Sequence, residues 1–198
     1  MQKLHARTSP PEPTLLGDAF TIDRDRRIFG HGSQANGRGS MRFQVAKRSS
    51  TVALDTYFRY IGSIRSQLTP SAYAFASDLE HYRLGSRHSL YDALVRKIEI
   101  GDAATSLRGV RGPLMIRLSL LGPYHDCVMQ LTYKRVREYA ISGREHRAAA
   151  IGIHGDIRRH EVHACDQSLI EHEIQFSSGT SLRIICGDLK FDVSDLRR

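Results

Sequence analysis

Apolar and polar residues alternate through much of the chain after residue 113. Every second residue from 114 to 120 is Leu or Ile, and every second residue from 127 to 133 is Cys, Met, Leu or Tyr. Such alternation is typical of a β-strand with one buried face, because successive side chains of a strand point to opposite sides. The pattern therefore predicts two antiparallel strands, joined by a turn at Gly122 and Pro123.

The same alternation predicts further strands on both sides of this pair. They cover residues 90–101, 156–164, 169–176, 182–186 and 189–193, and residues 136–141 either extend the second strand of the pair or follow it. In the first of them, Leu94, Ile98 and Ile100 are expected on one face. Residues 156–164 and 169–176 are expected to pair as a hairpin, because only a short turn separates them.

Two helices are predicted before the strands. Apolar residues recur at three- and four-residue steps from 52 to 68, which is typical of one face of an amphipathic helix. Thr69 and Pro70 then suit the N-cap and the first turn of a second helix, which is expected to end near Glu80. Together the elements predict an α+β fold, mainly an antiparallel β-meander or open sandwich of five to seven strands with one or two N-terminal helices.

The chain is predicted to comprise a flexible N-terminal segment rich in Gly and Pro, residues 1–50, and a single α+β domain, residues 51–198. Residues 1–48 contain nine Lys or Arg and four Asp or Glu, a net charge of +5 out of +8 for the whole chain. Because clustered cations bind phosphate groups, nucleic-acid binding through residues 1–48 is one interpretation.

Composition places the chain among globular proteins. Hydrophobic residues make up 40% and charged residues 25% of its 198 residues. No run approaches the roughly 20 apolar residues of a membrane span, and the N-terminus lacks the apolar core of a signal peptide. We therefore expect a cytoplasmic protein without membrane contact, in which Cys127, Cys165 and Cys186 are reduced thiols.

Four residues of the predicted hairpin have side chains of the kind that bind zinc, namely His160, His163, Cys165 and His172. Alternation, however, places His163 and Cys165 on one strand face and His160 on the other. We therefore expect neither a metal nor another cofactor. A metal site formed by these four residues is the alternative.

His172 is expected on the core side of its strand, where a buried imidazole needs a hydrogen-bond partner such as a backbone carbonyl or Tyr133. The alternative is a catalytic histidine that lines a pocket and is oriented by Asp126 or Glu161. Because His125 and Asp126 are adjacent at a turn, we expect no catalytic set. A hydrolytic site of His125, Asp126 and His172 is the corresponding alternative.

Three stretches within residues 88–193 resemble a loosely defined set of small bacterial β-meander proteins. They are SLYDALVRKIEI, LLGPYHDCVMQLTYKRVREY and LIEHEIQFSSGTSLRIICGDLKF. Members of the set open the meander with a Leu-His-Asp or similar turn, which reads Leu90, Tyr91 and Asp92 here. Several are immunity proteins for secreted toxins, and they tend to be acidic, whereas this chain is basic. The resemblance implies a protein partner.

The sequence thus predicts a small cytoplasmic protein-interaction module, of toxin-neutralising immunity type, that is not an enzyme. One alternative is a metal-dependent hydrolase that uses His125, Asp126, His160 and His172. A second is an accessory protein that binds nucleic acid through its basic N-terminal segment.

Overall fold

The structure, a computed structural model, describes residue 43 and residues 51–103, 112–142, 154–165 and 168–196. Within these ranges the chain forms two α-helices followed by eight antiparallel strands, which confirms the predicted α+β class. The predicted N-terminal segment lies outside the described residues, apart from Phe43. Its flexibility and its binding of nucleic acid therefore stay predictions.

The helices are α1 (Thr51–Ser63) and α2 (Pro70–Ser77), and short 3-10 helices follow them at Arg65–Gln67 and Leu79–His81. The strands are β1 (Leu94–Asp102), β2 (Leu114–Leu121), β3 (Cys127–Lys134), β4 (Glu138–Ser142), β5 (Ile157–Ala164), β6 (Ile170–Phe176), β7 (Ser181–Cys186) and β8 (Asp188–Asp195). The first sheet has the order β1-β2-β3-β8, and the second sheet has the order β4-β7-β6-β5.

The chain passes from the first sheet to the second between β3 and β4, and it returns between β7 and β8. Arg135 lies in the first crossing with a φ of 52°, and Gly187 lies in the second. The Arg135 guanidinium donates a hydrogen bond of 2.6 Å to the Gly187 carbonyl, and a Cβ at Gly187 would lie 2.6 Å from Arg135 Nε. A larger residue at Gly187 would therefore displace the Arg135 guanidinium from this contact. The first crossing also makes residues 138–142 a strand of the second sheet instead of an extension of β3.

The inner face of the first sheet is the apolar core that alternation predicts for β2 and β3. Its fully buried residues are Ile116, Leu118, Leu120, Cys127, Met129, Leu131 and Tyr133. Full burial of a Leu, Ile or Met side chain contributes roughly 1.5–3 kcal/mol. This face therefore supplies a large part of the stability of the fold.

A bulge in β1 changes the predicted faces of that strand. The register with β2 shifts between Val95 and Lys97. One added residue sends the following side chains to the other face of a strand. Leu94 consequently lies on the opposite face from Ile98 and Ile100, and the prediction that the three share a face is wrong.

The start of α2 follows the predicted capping pattern and is bound to the first sheet. Thr69 Oγ1 accepts a hydrogen bond of 3.2 Å from the Ala72 N–H, which is the N-cap contact. The Thr69 and Ser71 hydroxyls both donate to Asp188 Oδ1 at the start of β8, at 2.5 and 2.6 Å. These contacts hold α2 against β8.

Candidate functional site

Three histidines meet on the inner side of the second sheet. Strands β5 and β6 pair with His160 opposite Ile174 and with Val162 opposite His172, so both imidazoles lie on the core face. His81 reaches the same region from the 3-10 helix Leu79–His81, and all three are buried. The ring centroids of His160 and His172 are 5.6 Å apart. His172 thus lies where alternation predicts it.

Each of the three imidazoles has a hydrogen-bond partner. His172 Nδ1 lies 2.8 Å from the Tyr133 hydroxyl, one of the two kinds of partner predicted for it. His160 Nε2 donates to the His81 carbonyl at 3.3 Å, and His81 Nδ1 donates to the Phe75 carbonyl at 2.9 Å. Because a carbonyl oxygen only accepts, these contacts require a proton on His160 Nε2 and on His81 Nδ1.

Burial keeps these histidines neutral near pH 7. Loss of hydration disfavours the imidazolium, so burial lowers the pKa of His81 and His172 and lowers the pKa of His160 to about 3. A side chain with no exposed surface also has no contact with a substrate from solution. The three imidazoles are therefore hydrogen-bonding groups of the core.

Helix α1 covers the outer edge of β5. The Tyr57 hydroxyl accepts a hydrogen bond of 3.0 Å from the Val162 N–H, and the Tyr60 hydroxyl accepts one of 3.0 Å from the Ala164 N–H. Tyr57 also lies 2.9 Å from the Tyr82 hydroxyl, and burial raises the pKa of both phenols. The two tyrosines replace the ladder partners that β5 lacks as an edge strand.

The outer face of the second sheet buries carboxylates. Glu161 is opposite Glu173, and His163 is opposite Glu171. Glu161 Oε2 lies 3.2 Å from His163 Nε2, within ion-pair distance. Burial, followed by the nearby charge of Glu171, raises the pKa of Glu173. Like charges directly opposite each other destabilise a sheet, so this face needs compensating partners.

Two such partners are an arginine and a backbone amide. Arg183 on β7 binds Glu171 on one side and Glu138 on the other, the second at 2.5 Å. The Phe43 N–H donates to Glu161 Oε2 at 3.1 Å, and the Phe43 ring stacks on that of His163. Glu138, Glu161 and Glu171, on three different strands, are therefore joined to positive or donating groups.

The predicted zinc-binding residues lie on both faces of the second sheet. His160 and His172 face the core, whereas His163 lies on the outer face. Cys165 Sγ lies 3.8 Å from Glu171 Oε2, on the side of His163. In the described ranges no three His, Cys, Asp or Glu side chains are arranged to hold a metal ion. The separation follows from alternation itself.

His125 and Asp126 lie at the turn before β3, and a structural contact occupies the carboxylate. His125 is exposed and has a φ of 57°. Arg87 Nε donates to Asp126 Oδ2 at 2.8 Å, and this contact lowers the pKa of Asp126. Arg87 also binds Asp195 at the end of β8. Arg87 thus joins the ends of two neighbouring strands.

The predicted hydrolytic set is not brought together. His172 contacts Tyr133 near the end of β3, whereas Asp126 precedes the start of that strand. Seven residues of extended chain span roughly 20 Å. His172 is therefore remote from Asp126. Glu161, the other predicted orienting carboxylate, lies on the opposite face of the second sheet.

The strand predicted near residues 136–141 is β4, and its place at an edge of the second sheet does not follow from the sequence pattern. Among the described residues it pairs with β7 alone, and all its residues are exposed. Tyr139 is opposite Ile184, and Ile141 is opposite Leu182. The two β7 residues are fully buried, whereas Tyr139 and Ile141 are 42% and 40% exposed. Their alternation matches that of a half-buried strand, so only the packing around β4 distinguishes it.

Comparison of the chain with family models, with curated proteins and with solved structures finds no match. The resemblance to immunity proteins therefore stays a prediction. Among the described residues, neither α-helix has the length and apolar character needed to cross a membrane.

Proposed function

We propose that this protein is a non-enzymatic protein-interaction module that binds its partner at the β4 edge of the second sheet. The observation that supports this proposal is the exposure of Tyr139 and Ile141 on the core-side face of an edge strand. An edge strand offers unpaired backbone N–H and C=O groups, and exposed apolar side chains beside them favour the addition of another strand.

The other three edges, β5, β1 and β8, differ from β4 in ways that support this choice. The start of α2 is held against β8 through Asp188, and β8 carries the charged pair Lys190 and Asp192. Strand β5 has its edge covered by Tyr57 and Tyr60. Strand β1 contains a bulge and carries the charged pair Lys97 and Glu99, both of which hinder pairing with another chain. Strand β4 pairs with β7 in a regular register and carries one charged residue, Glu138.

The resemblance of residues 88–193 to immunity proteins suggests the class of partner, a toxin that the module neutralises. In this proposal the module works in the cytoplasm and acts by occupying the surface of the toxin. Such a role requires no catalytic group, which agrees with the burial of His172 and with the structural contacts of Asp126.

Capture of partners by two matched variants tests this proposal. Ile141→Lys places a charge on β4, and Ile100→Lys places the same charge on β1, where Ile100 is exposed to a similar degree, 44%. Each variant and the wild type are used to capture proteins from lysates of the producing cell. We expect Ile141→Lys to reduce capture of the specific partner by about tenfold or more, which corresponds to ~1.4 kcal/mol. Ile100→Lys should leave it unchanged.

Hydrogen exchange on the captured complex locates the contact. Binding is expected to protect the backbone amides of residues 138–142, because an added strand pairs with them. Circular dichroism and the melting temperature confirm that both variants are folded. A partner captured equally by all three proteins, protection confined to other strands, or the absence of any specific partner would contradict the proposal.

A further inference from the structure

The outer face of the second sheet is acidic in a chain that is basic overall. Its strands carry four carboxylates, Glu138, Glu161, Glu171 and Glu173, and, apart from Arg158 at the bulge of β5, two guanidinium groups, Arg159 and Arg183. The whole chain has a net charge of +8. The carboxylates are thus concentrated on one face.

This acidic face extends to the free edge. The Glu138 side chain on β4 is 60% exposed, and its partner Arg183 is shared with Glu171 on β6. One guanidinium is therefore shared by two carboxylates, and Glu138 presents its exposed carboxylate beside the open side of β4. A cation placed beside Glu138 would complete the alternation of charges across the sheet.

The two sides of β4 consequently differ in chemistry. Tyr139 and Ile141 present apolar surface on the core side, whereas Glu138 lies on the acidic outer side. A strand added to β4 would continue the sheet, so its successive side chains would lie alternately on these two sides.

We propose that the segment that binds β4 is an extended strand of a partner protein in which apolar and basic residues alternate. Its apolar side chains pack against Tyr139 and Ile141, and its Lys or Arg side chains lie beside Glu138. This inference rests on the proposed function, because it names the chemistry of the segment that fills the same edge.

A second copy of the chain matches this edge less well. The sequence of β4, Glu138 to Ser142, contains one carboxylate and no basic residue. Pairing of two β4 strands would therefore join two strands that each carry Glu138 and no basic residue of their own.

Synthetic peptides test the proposed chemistry directly. The probe is a seven-residue peptide in which lysine and valine alternate, and its binding is measured by fluorescence anisotropy. One control peptide alternates glutamate and valine. The other has the composition of the probe, with its valines in one block. We expect the probe to bind wild-type protein about tenfold tighter than either control, and more weakly as salt is raised.

Two matched variants place the charge effect on β4. Glu138→Lys reverses the carboxylate beside the edge, and Glu99→Lys reverses one on the outer side of β1, whose side chain is 48% exposed. We expect Glu138→Lys to weaken binding of the probe about fivefold or more and Glu99→Lys to leave it unchanged. Ile141→Lys should also weaken it, and Ile100→Lys should not.

The outcomes separate the inference from the proposed function. The inference is overturned if the probe does not bind the wild type, if it binds no better than the glutamate peptide, or if Glu138→Lys binds it as well as the wild type does. Loss of the natural partner in Ile141→Lys would still support the proposed function in those cases. A wild-type dimer in sedimentation that Ile141→Lys dissociates and Ile100→Lys does not would assign the edge to a second copy, and would also overturn the inference.

Discussion

The two sheets share the same alternation of side chains, but they bury different chemistry. The inner face of the first sheet is lined by apolar residues such as Leu118 and Met129, whereas that of the second sheet includes His160 and His172. Apolar residues need only be excluded from water, but each buried imidazole needs a partner for its polar atoms. The second sheet therefore depends on specific hydrogen bonds, such as that between His172 and Tyr133, and on the protonation state of its histidines.

The outer faces of the two sheets differ in how far their ion pairs are exposed to water. On the first sheet, the Lys97 and Glu99 side chains form an ion pair of 2.8 Å while 64% and 48% exposed. On the second sheet, the side chains of Arg183 and Glu171 are only 32% and 21% exposed. Water screens an exposed pair strongly and a sheltered pair less, so the ionic contacts of the second sheet contribute more to stability.

The largest expected effect is that of a cavity in the first sheet. Leu118→Ala should lower the free energy of unfolding by about 2–5 kcal/mol, because it removes fully buried methyl groups and leaves a void. The loss should be the same at pH 7 and pH 5.5, since no titratable group changes. Urea denaturation measures it, with Ser119→Ala on the outer face as a control that changes stability by less than about 0.5 kcal/mol. If the free energy lost in Leu118→Ala depended on pH, the contrast between an apolar first sheet and a titratable second sheet would be wrong.

The next effect is a fall in stability with acidity that originates in the second sheet. His160 has a pKa of about 3 in the folded protein and 6.5 as its ordinary value. The unfolded chain therefore binds the additional proton below pH 6.5, and the contribution of His160 to stability is lost as pH falls towards 3. This loss should lower the free energy of unfolding by about 2 kcal/mol between pH 7 and pH 5. The slope is ~1.4 kcal/mol per pH unit once His160 is protonated in the unfolded chain.

His160→Phe tests this linkage, because it keeps a ring in the core and removes the titration. Urea denaturation from pH 7 to pH 5 should show a shallower fall in stability, by the amount assigned to His160. His125→Asn, which removes an exposed imidazole from a turn, is the control for the loss of one histidine from the chain. An unchanged slope in His160→Phe would show that the fall with acidity has another origin.

The smallest effect compares the two outer faces. Arg183→Met should destabilise by about 1–2 kcal/mol, because it leaves Glu138 and Glu171 without their shared cation. Lys97→Met, which breaks only an exposed pair, should stay within ~0.5 kcal/mol. Thermal and urea unfolding at low and high salt measure both. Equal effects of the two substitutions would remove the distinction between the faces.

Much of the local structure could be predicted because it depends on neighbours in the chain. Thr69 caps α2 through a residue three positions later, and the faces of β2 and β3 follow from the side-chain period of two. The inward position of His172 could also be predicted from its register, but the choice between Tyr133 and a backbone carbonyl as its partner depends on the packing of β3 against β6. The bulge between Val95 and Lys97 could not, because it depends on the pairing of β1 with β2.

Alternation by itself determined which residues of each strand share a face. It alone places His160 and His163 on opposite faces of β5. Only the tertiary structure decided what each face meets. It brought His81 to the buried histidines, covered the β5 edge with Tyr57, and left Tyr139 and Ile141 exposed on β4. The physical reason is range: the direction of a side chain repeats locally along a strand, whereas its burial depends on elements that lie far apart in the sequence.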